Sequence, residues 1–188
     1  MNNKNTYDAL YEKTLASEVK FDGKIMTVVR DTVELSDGTQ SFREVVHKHG
    51  GVCIVPLTKD DEVVFVNQFR YPYGQVVKEV PAGKMEMGED PLLCGIRELS
   101  EETGYYSDNI ISLGTQYPSP GFTDEILYMY LATDVKEGNA HLDEGELVVV
   151  EKIPLEKAVN MILDGTILDG KTQTAILKTW LLKKNGVI

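Results

Sequence analysis

Alternating β-branched and polar residues run through residues 24–30, 32–35 and 41–46, around a Ser36-Asp37-Gly38 turn. That pattern predicts short antiparallel strands with a hairpin at Asp-Gly. His47-Lys48-His49-Gly50-Gly51 breaks it, and divides the chain into an N-terminal β-strand region, 1–47, and a main domain, 48–188. The unbroken apolar run Val52-Cys53-Ile54-Val55-Pro56-Leu57 reads as a buried strand, Asp60-Asp61 as a turn and residues 63–69 as the returning strand. Further strands are expected at 110–113, 126–132 and 147–153. Helical spacing starts after Asp90-Pro91, a cap and first-turn pair, with Leu92, Ile96 and Leu99 as its apolar face and Gly104 as its stop. A second helix, from Pro154-Leu155 to Asp164-Gly165, has Pro at its start and Gly past its end. A third covers 172–184, with Ala175, Ile176, Trp180 and Leu181 inward and Lys183-Lys184 complementing the dipole. Strands interleaved with helices make a mixed α/β (α+β) domain.

A length of 188 residues with 42% apolar content supports a real core, and no low-complexity tract suggests disorder. The formal charge of −11 repels nucleic-acid phosphates and anionic lipid headgroups, so neither is an expected partner. The excess is local. Between residues 79 and 104, Glu79, Glu86, Glu89, Asp90, Glu98, Glu101 and Glu102 face only Lys84 and Arg97. Asp124-Glu125 and the acidic run 134–146 account for the rest. Cys53 and Cys94 sit in apolar surroundings without a CxxC or a neighbouring His, and read as buried thiols. The N-terminus lacks a signal-peptide apolar region and no run is long enough to span a membrane, so a cytoplasmic protein is expected.

On a helix beginning at Pro91, Glu98, Glu101 and Glu102 project from one face. Like charges at that spacing repel unless a cation neutralises them, and oxygen ligands suit a hard divalent ion, Mg²⁺ or Mn²⁺. The stretch from Gly83 to Tyr105 resembles the Nudix box, G-x5-E-x7-R-E-U-x-E-E-x-G-U with U a bulky apolar residue. Gly83, Glu89, Arg97, Glu98, Leu99, Glu101, Glu102 and Gly104 match in register, while Tyr105 replaces an aliphatic residue at the last position. Gly95 inside the helix costs about 1 kcal/mol against Ala. The resemblance implies an α/β/α sandwich that cleaves a nucleoside diphosphate linked to another moiety. It further implies metal held by Glu98 and Glu102, with Glu101 sharing and the Ala82 carbonyl contributing. Gly83 would give a tight turn, and Glu89 and Arg97 would brace the box.

Outside the box, Ser119-Pro120-Gly121-Phe122-Thr123-Asp124-Glu125, Gln68-Phe69-Arg70-Tyr71-Pro72, Glu79-Val80-Pro81-Ala82-Gly83 and Arg43-Glu44-Val45-Val46 are similar to the ADP-ribose pyrophosphatase branch. The resemblance implies Arg70 on the pyrophosphate, Arg43 and Glu79 on ribose or adenine, and Ser119 and Gly121 in the substrate loop. It also implies a homodimer paired through the N-terminal strands. Physically, a small sheet with one face uncovered favours a partner. In the acidic run, Glu144 is the favoured general base and Glu146 the metal neighbour, because a Gly-flanked glutamate can swing onto a water; the reversed assignment stays open. The implied reaction is metal-dependent hydrolysis of ADP-ribose to AMP and ribose 5-phosphate.

Bland readings stand beside these. The acidic run 134–146 could be a solvated face, and Arg70 could stack on Tyr71 or pair with a strand neighbour. Tyr71, Tyr73 and Phe122 serve equally as packing or as ligand-facing aromatics, and His47, His49 and His141 lack ligand spacing among themselves. Rival functions are hydrolysis of another sugar nucleotide, GDP-mannose or ADP-glucose, and a Nudix module that binds ADP-ribose without cleaving it.

Overall fold

The structure, a computed structural model, describes residues 6–138 and 147–188. The acidic segment with Glu144 and Glu146 lies outside the described residues. Two compact units emerge, one of Met1–His49 with Ser119–Glu125, the other of Gly50–Pro118 with Ile126–Ile188.

The first unit is an antiparallel sheet of β1 (Lys13–Asp22), β2 (Thr27–Glu34) and β3 (Gln40–His47), in that spatial order. The β2–β3 hairpin turns where the sequence places it. Gly38 takes φ 83° and Asp37 Oδ1 accepts from the Thr39 N–H and hydroxyl at 2.9 and 2.6 Å. Two expectations need correction. Residues 24–30 and 32–35 are not separate strands; β2 runs straight through Asp31. The polar start contains β1, which begins at Lys13; all ten of its residues are exposed, and backbone pairing with β2 supplies its bonds. Residues 119–125 are tied to β3: the Val46 N–H donates to Phe122 O at 2.7 Å, and His47 Nδ1 lies 2.6 Å from Asp124 Oδ2.

In the second unit, β4 (Gly51–Leu57) is buried along its whole length. It pairs with β5 (Glu62–Arg70), which also pairs with β6 (Gln75–Glu79), and with the short β7 (Ala82–Lys84). After α1 (Pro91–Thr103) come β8 (Tyr105–Tyr106), β9 (Asn109–Gln116), β10 (Leu127–Thr133), β11 (Lys136–Glu137) and β12 (Val148–Pro154). The main path is β12-β5-β4-β10-β9, mixed because β10 runs parallel to β4 and antiparallel to β9. Period-two alternation divides the sheet's faces. Cys53, Val55, Phe65, Met129 and Leu131 pack under α2 (Leu155–Leu163) and α3 (Gly170–Lys184), while Ile54, Val64 and Ala132 pack with Leu99 of α1. The unit is therefore layered α/β/α.

The helix faces depart from expectation. On α1, Leu92 and Ile96 are each 38% exposed, and the buried face is Cys94, Gly95, Leu99, Glu102 and Thr103. Gly95 explains the shift: a Cβ there would stand 3.0 Å from Val52 Cγ1 and 3.4 Å from the Tyr130 ring, so the missing side chain lets the helix lie close on the sheet. On α3, Leu181 is 52% exposed, and Thr172 and Thr179 are buried beside Ala175 and Ile176. Their hydroxyls bond Asp169 and the Ala175 carbonyl, which makes them fit an apolar layer. Pro154 is the N-cap of α2 and not its first residue. Burial raises the thiols of Cys53 and Cys94 to about 12, so both stay protonated.

Candidate active site

The acidic helix begins at Asp90, whose Oδ1 accepts from the Leu92 and Leu93 N–H groups at 2.9 and 3.1 Å, and it ends at left-handed Gly104. Ahead of it, left-handed Gly88 shapes a turn in which Glu89 Oε2 accepts from the Glu86 N–H at 2.9 Å. The turn points Glu89 at Arg97. Arg97 donates from Nε and Nη2 to the two Glu89 oxygens at 2.9 and 3.1 Å, and from Nη1 to Glu98 Oε1 and Glu101 Oε2, both at 2.9 Å. One guanidinium thus collects three carboxylates. Its hydrogen bond holds the Glu89 carboxyl down to about 2.

Gly83 acts differently from expectation. It has no left-handed φ and lies within β7, opposite Val52. What it provides is room: a Cβ on Gly83 would fall 1.8 Å from Glu98 Oε1, so the Glu98 carboxylate occupies the space of the missing side chain. Glu102 is 3% exposed, and its Oε2 accepts from the Ala82 N–H at 3.0 Å. The box strand and box helix are therefore joined by Glu98 over Gly83 and by Glu102 on Ala82.

This donor set fits a hard divalent ion in its chemistry. Glu98, Glu101 and Glu102 offer carboxylate oxygens on one helix face, and a single arginine leaves the group negative. In this arrangement Glu98 and Glu101 turn oxygens to Arg97, and among the described residues no three His, Cys, Asp or Glu side chains are grouped to hold an ion.

Arg70 and Glu79 meet across β5 and β6. Arg70 Nε and Nη2 donate to Glu79 Oε1 and Oε2 at 2.6 and 2.7 Å, a bidentate pair. Lys171, which the sequence reading passed over, also donates from Nζ to Glu79 Oε2, and to Asp169 Oδ2 at 3.0 Å. Asp169 caps α3 through the Thr172 N–H at 2.9 Å. The Asp-Gly-Lys-Thr cap signal could have found this group; starting the helix at Thr172 hid it. Burial opposes Glu79's charge, but Arg70 and Lys171 outweigh it and hold the carboxyl below its usual range. Arg70, Glu79, Asp169 and Lys171, with Tyr73 and Gln75, line a pocket of about 260 Å³.

Arg43, Ser119 and Gly121 belong to the first unit. Arg43 Nη2 pairs with Glu12 at 2.5 Å and its Nη1 donates to Phe42 O at 2.8 Å. The Ser119 carbonyl accepts from the Phe122 and Thr123 N–H groups at 3.2 Å, and a Cβ at Gly121 would meet open space.

Two family models cover most of the chain: a nucleoside diphosphate sugar hydrolase N-terminal domain at residues 12–46 and a NUDIX domain at residues 47–172. The chain is 40% identical over 170 residues to an ADP-ribose pyrophosphatase of Bacillus subtilis strain 168, covering 89% of this chain and 92% of the relative. It is also 40% identical over 167 residues to a methanol dehydrogenase activator of Bacillus methanolicus, covering 88% and 90%. A crystal structure of an ADP compounds hydrolase, 20% identical, superposes with a TM-score of 0.82 over 94% of this chain and 97% of that one, a likeness of fold. Among the described residues, no helix is long and apolar enough to cross a membrane. With Glu98 set over Gly83, Glu102 bonded to Ala82, and the NUDIX domain matched over residues 47–172, this chain belongs to the Nudix hydrolase family.

Proposed function

We propose that this chain hydrolyses the pyrophosphate bond of ADP-ribose, giving AMP and ribose 5-phosphate, in the cytoplasm and with Mg²⁺ or Mn²⁺. The observation that carries the chemistry is the excess of carboxylate in the box: Glu89, Glu98 and Glu101 share one guanidinium. Glu98, Glu101, Glu102 and Glu146, with the Ala82 carbonyl, would hold the ion. Once bound, a divalent ion supplies the positive charge that lets an anionic diphosphate enter an acidic site and polarises its P–O bonds. The protein's own groups do the rest. Arg70 draws in the pyrophosphate, Arg97 and Glu89 fix the box, and Glu144 takes the proton of the attacking water, with Glu146 as the rival for that role. Arg43 and Glu79 are assigned to the substrate's ribose or adenine, and Ser119 and Gly121 to the substrate loop. The choice of ADP-ribose rests on the likeness to the Bacillus subtilis pyrophosphatase.

The N-terminal sheet supports a homodimer. β1 is an edge strand exposed along ten residues, with Leu15, Val19 and Phe21 uncovered, which is a template for pairing with another copy. The domain boundary near residue 47 is proposed on the same footing.

The test is turnover of ADP-ribose, GDP-mannose and ADP-glucose with Mg²⁺ or Mn²⁺, with products identified. ADP-ribose is expected to be cleaved fastest, to AMP and ribose 5-phosphate. Good turnover of GDP-mannose without ADP-ribose cleavage sinks the substrate assignment, and a Glu102→Gln variant that keeps metal-dependent hydrolysis sinks the metal site. Of Glu144→Gln and Glu146→Gln, the one that removes the base loses most of kcat with little change in KM.

A further inference from the structure

The group at the start of α3 does more than close a helix end. Glu79 is 2% exposed, yet its two oxygens take three donors: Arg70 Nε, Arg70 Nη2 and Lys171 Nζ. A carboxylate so engaged is a support, with both oxygens already bonded to protein cations. Lys171 is in turn fixed by Asp169 Oδ2 at 3.0 Å. Asp169 is held by the helix backbone at Thr172 N and by the Thr172 hydroxyl at 2.6 Å. That hydroxyl oxygen accepts from the Val80 N–H at 2.9 Å, one residue beyond Glu79 and two before the box strand. The chain of contacts therefore anchors both the end of β6 and the Glu79 carboxylate to the first turn of a fifteen-residue helix.

Arg70 needs such an anchor. It is the last residue of β5, the next three residues form a 3-10 turn that closes on left-handed Gly74, and its side chain stays 38% exposed toward the pocket. A long side chain at a strand end samples many rotamers unless its fork is held in plane, and a bidentate carboxylate does that only if the carboxylate cannot rotate. Lys171 supplies the restraint on Glu79. The four charges also balance, Arg70 and Lys171 against Glu79 and Asp169, so the group holds together without an outside ion.

We infer that Lys171 is a positioning residue for the pyrophosphate-binding arginine: it acts through Glu79 to fix the Arg70 guanidinium at the mouth of the pocket. The role rests on the proposed hydrolysis of a diphosphate-linked substrate. Glu79 on this account orients Arg70 through its two hydrogen bonds.

The test is a double-mutant cycle of Lys171→Met and Arg70→Ala, with kcat and KM measured separately on ADP-ribose. Lys171→Met is expected to raise KM roughly tenfold with kcat within about threefold, the signature of a misplaced binding group. Lys171→Arg is expected to recover most of the loss, and Lys171→Met to add nothing in the Arg70→Ala background. If Lys171→Met is not obtained folded, Asp169→Asn is put through the same cycle, since Asn still caps the helix while removing the charge that pairs with Lys171. Effects of Lys171 and Arg70 that multiply, or a fall in kcat at unchanged KM, overturn the positioning role and leave the proposed function standing. If the wild type cleaves another sugar nucleotide and not ADP-ribose, the substrate assignment falls and the cycle is read on the nucleotide it cleaves. No turnover of any diphosphate-linked substrate overturns both.

Discussion

Two ion-pair clusters, one centred on Arg97 and one on Glu79, lie in the same α/β/α unit and differ in their charge balance. Around Arg97 stand Glu89, Glu98 and Glu101, three carboxylates to one guanidinium. Around Glu79 stand Arg70 and Lys171, with Asp169 beyond, two of each sign. The balanced cluster satisfies its own charges and can serve as a fixed frame. The acidic one gathers three carboxylates on a single guanidinium, oxygen donors of the kind a hard divalent ion takes. The clusters adjoin, since Glu102 lies near enough to Arg70 to favour its charged form. On the proposed reading, an anionic diphosphate would meet the Arg70 guanidinium beside the box carboxylates.

The difference breaks most visibly at Gly83. Gly83→Ala would put a Cβ 1.8 Å from Glu98 Oε1, and because that oxygen ends a flexible side chain, the carboxylate moves while the fold stays. The expected outcome is a loss of kcat/KM on the order of 10²-fold with a thermal midpoint close to wild type. Full activity in this variant would show that the place of Glu98 above β7 is not needed. A smaller effect is expected for Arg97→Gln. Removing the shared guanidinium leaves Glu89, Glu98 and Glu101 facing one another, and the thermal midpoint is expected to fall by several degrees, at roughly 2–4 °C per kcal/mol for a chain of this size. Added Mg²⁺ is expected to restore more of that loss than it adds to wild type, because a bound ion stabilises the form that holds it. Lys171→Met should show no such response, since its cluster loses a positive charge outside the box; equal Mg²⁺ responses in the two variants would erase the distinction.

How much of this was legible in the sequence depended on whether a residue's task was local. The cap at Asp90, the stop at Gly104, the hairpin at Gly38 and the shared face of Glu98, Glu101 and Glu102 follow from spacing along the chain, and each stands where the spacing put it. The start of β1 was not legible, because 13–18 is a mainly polar stretch exposed along its length and held in place by its pairing with β2. The apolar face of α1 was misread because Gly95 and Glu102 are buried there: a glycine that lets two elements approach, and a carboxylate bonded to the Ala82 N–H, both look polar or neutral in a pattern of side chains. Lys171 and Glu79 are 92 residues apart in the chain, and only the packing of α3 on the sheet brings them together. The base candidates Glu144 and Glu146 lie outside the described residues, so that part of the site rests on the sequence reading.

The finest test of the comparison is the acid limb of stability. The Glu89 carboxyl, ordinarily near 4.5, is held at about 2 by its bonds to Arg97 and the Glu86 N–H. A carboxyl with a depressed folded-state value stabilises the fold above its unfolded value and loses that contribution as pH falls. The contribution of Glu89 is thus complete above about pH 5 and fades between there and about pH 2. Glu89→Gln removes it, so thermal midpoints of wild type and variant are expected to differ most near pH 6 and to converge as the pH is lowered toward 3. The substituted amide keeps the shape and one acceptor, so the residual gap at low pH reports packing, and the part that titrates reports the Arg97 charge. Curves that run parallel across this range would mean that Arg97 gives Glu89 no more than a neutral hydrogen bond. In that case its charge would be spent on Glu98 and Glu101, and the box would be closer to balance than its three-to-one count implies.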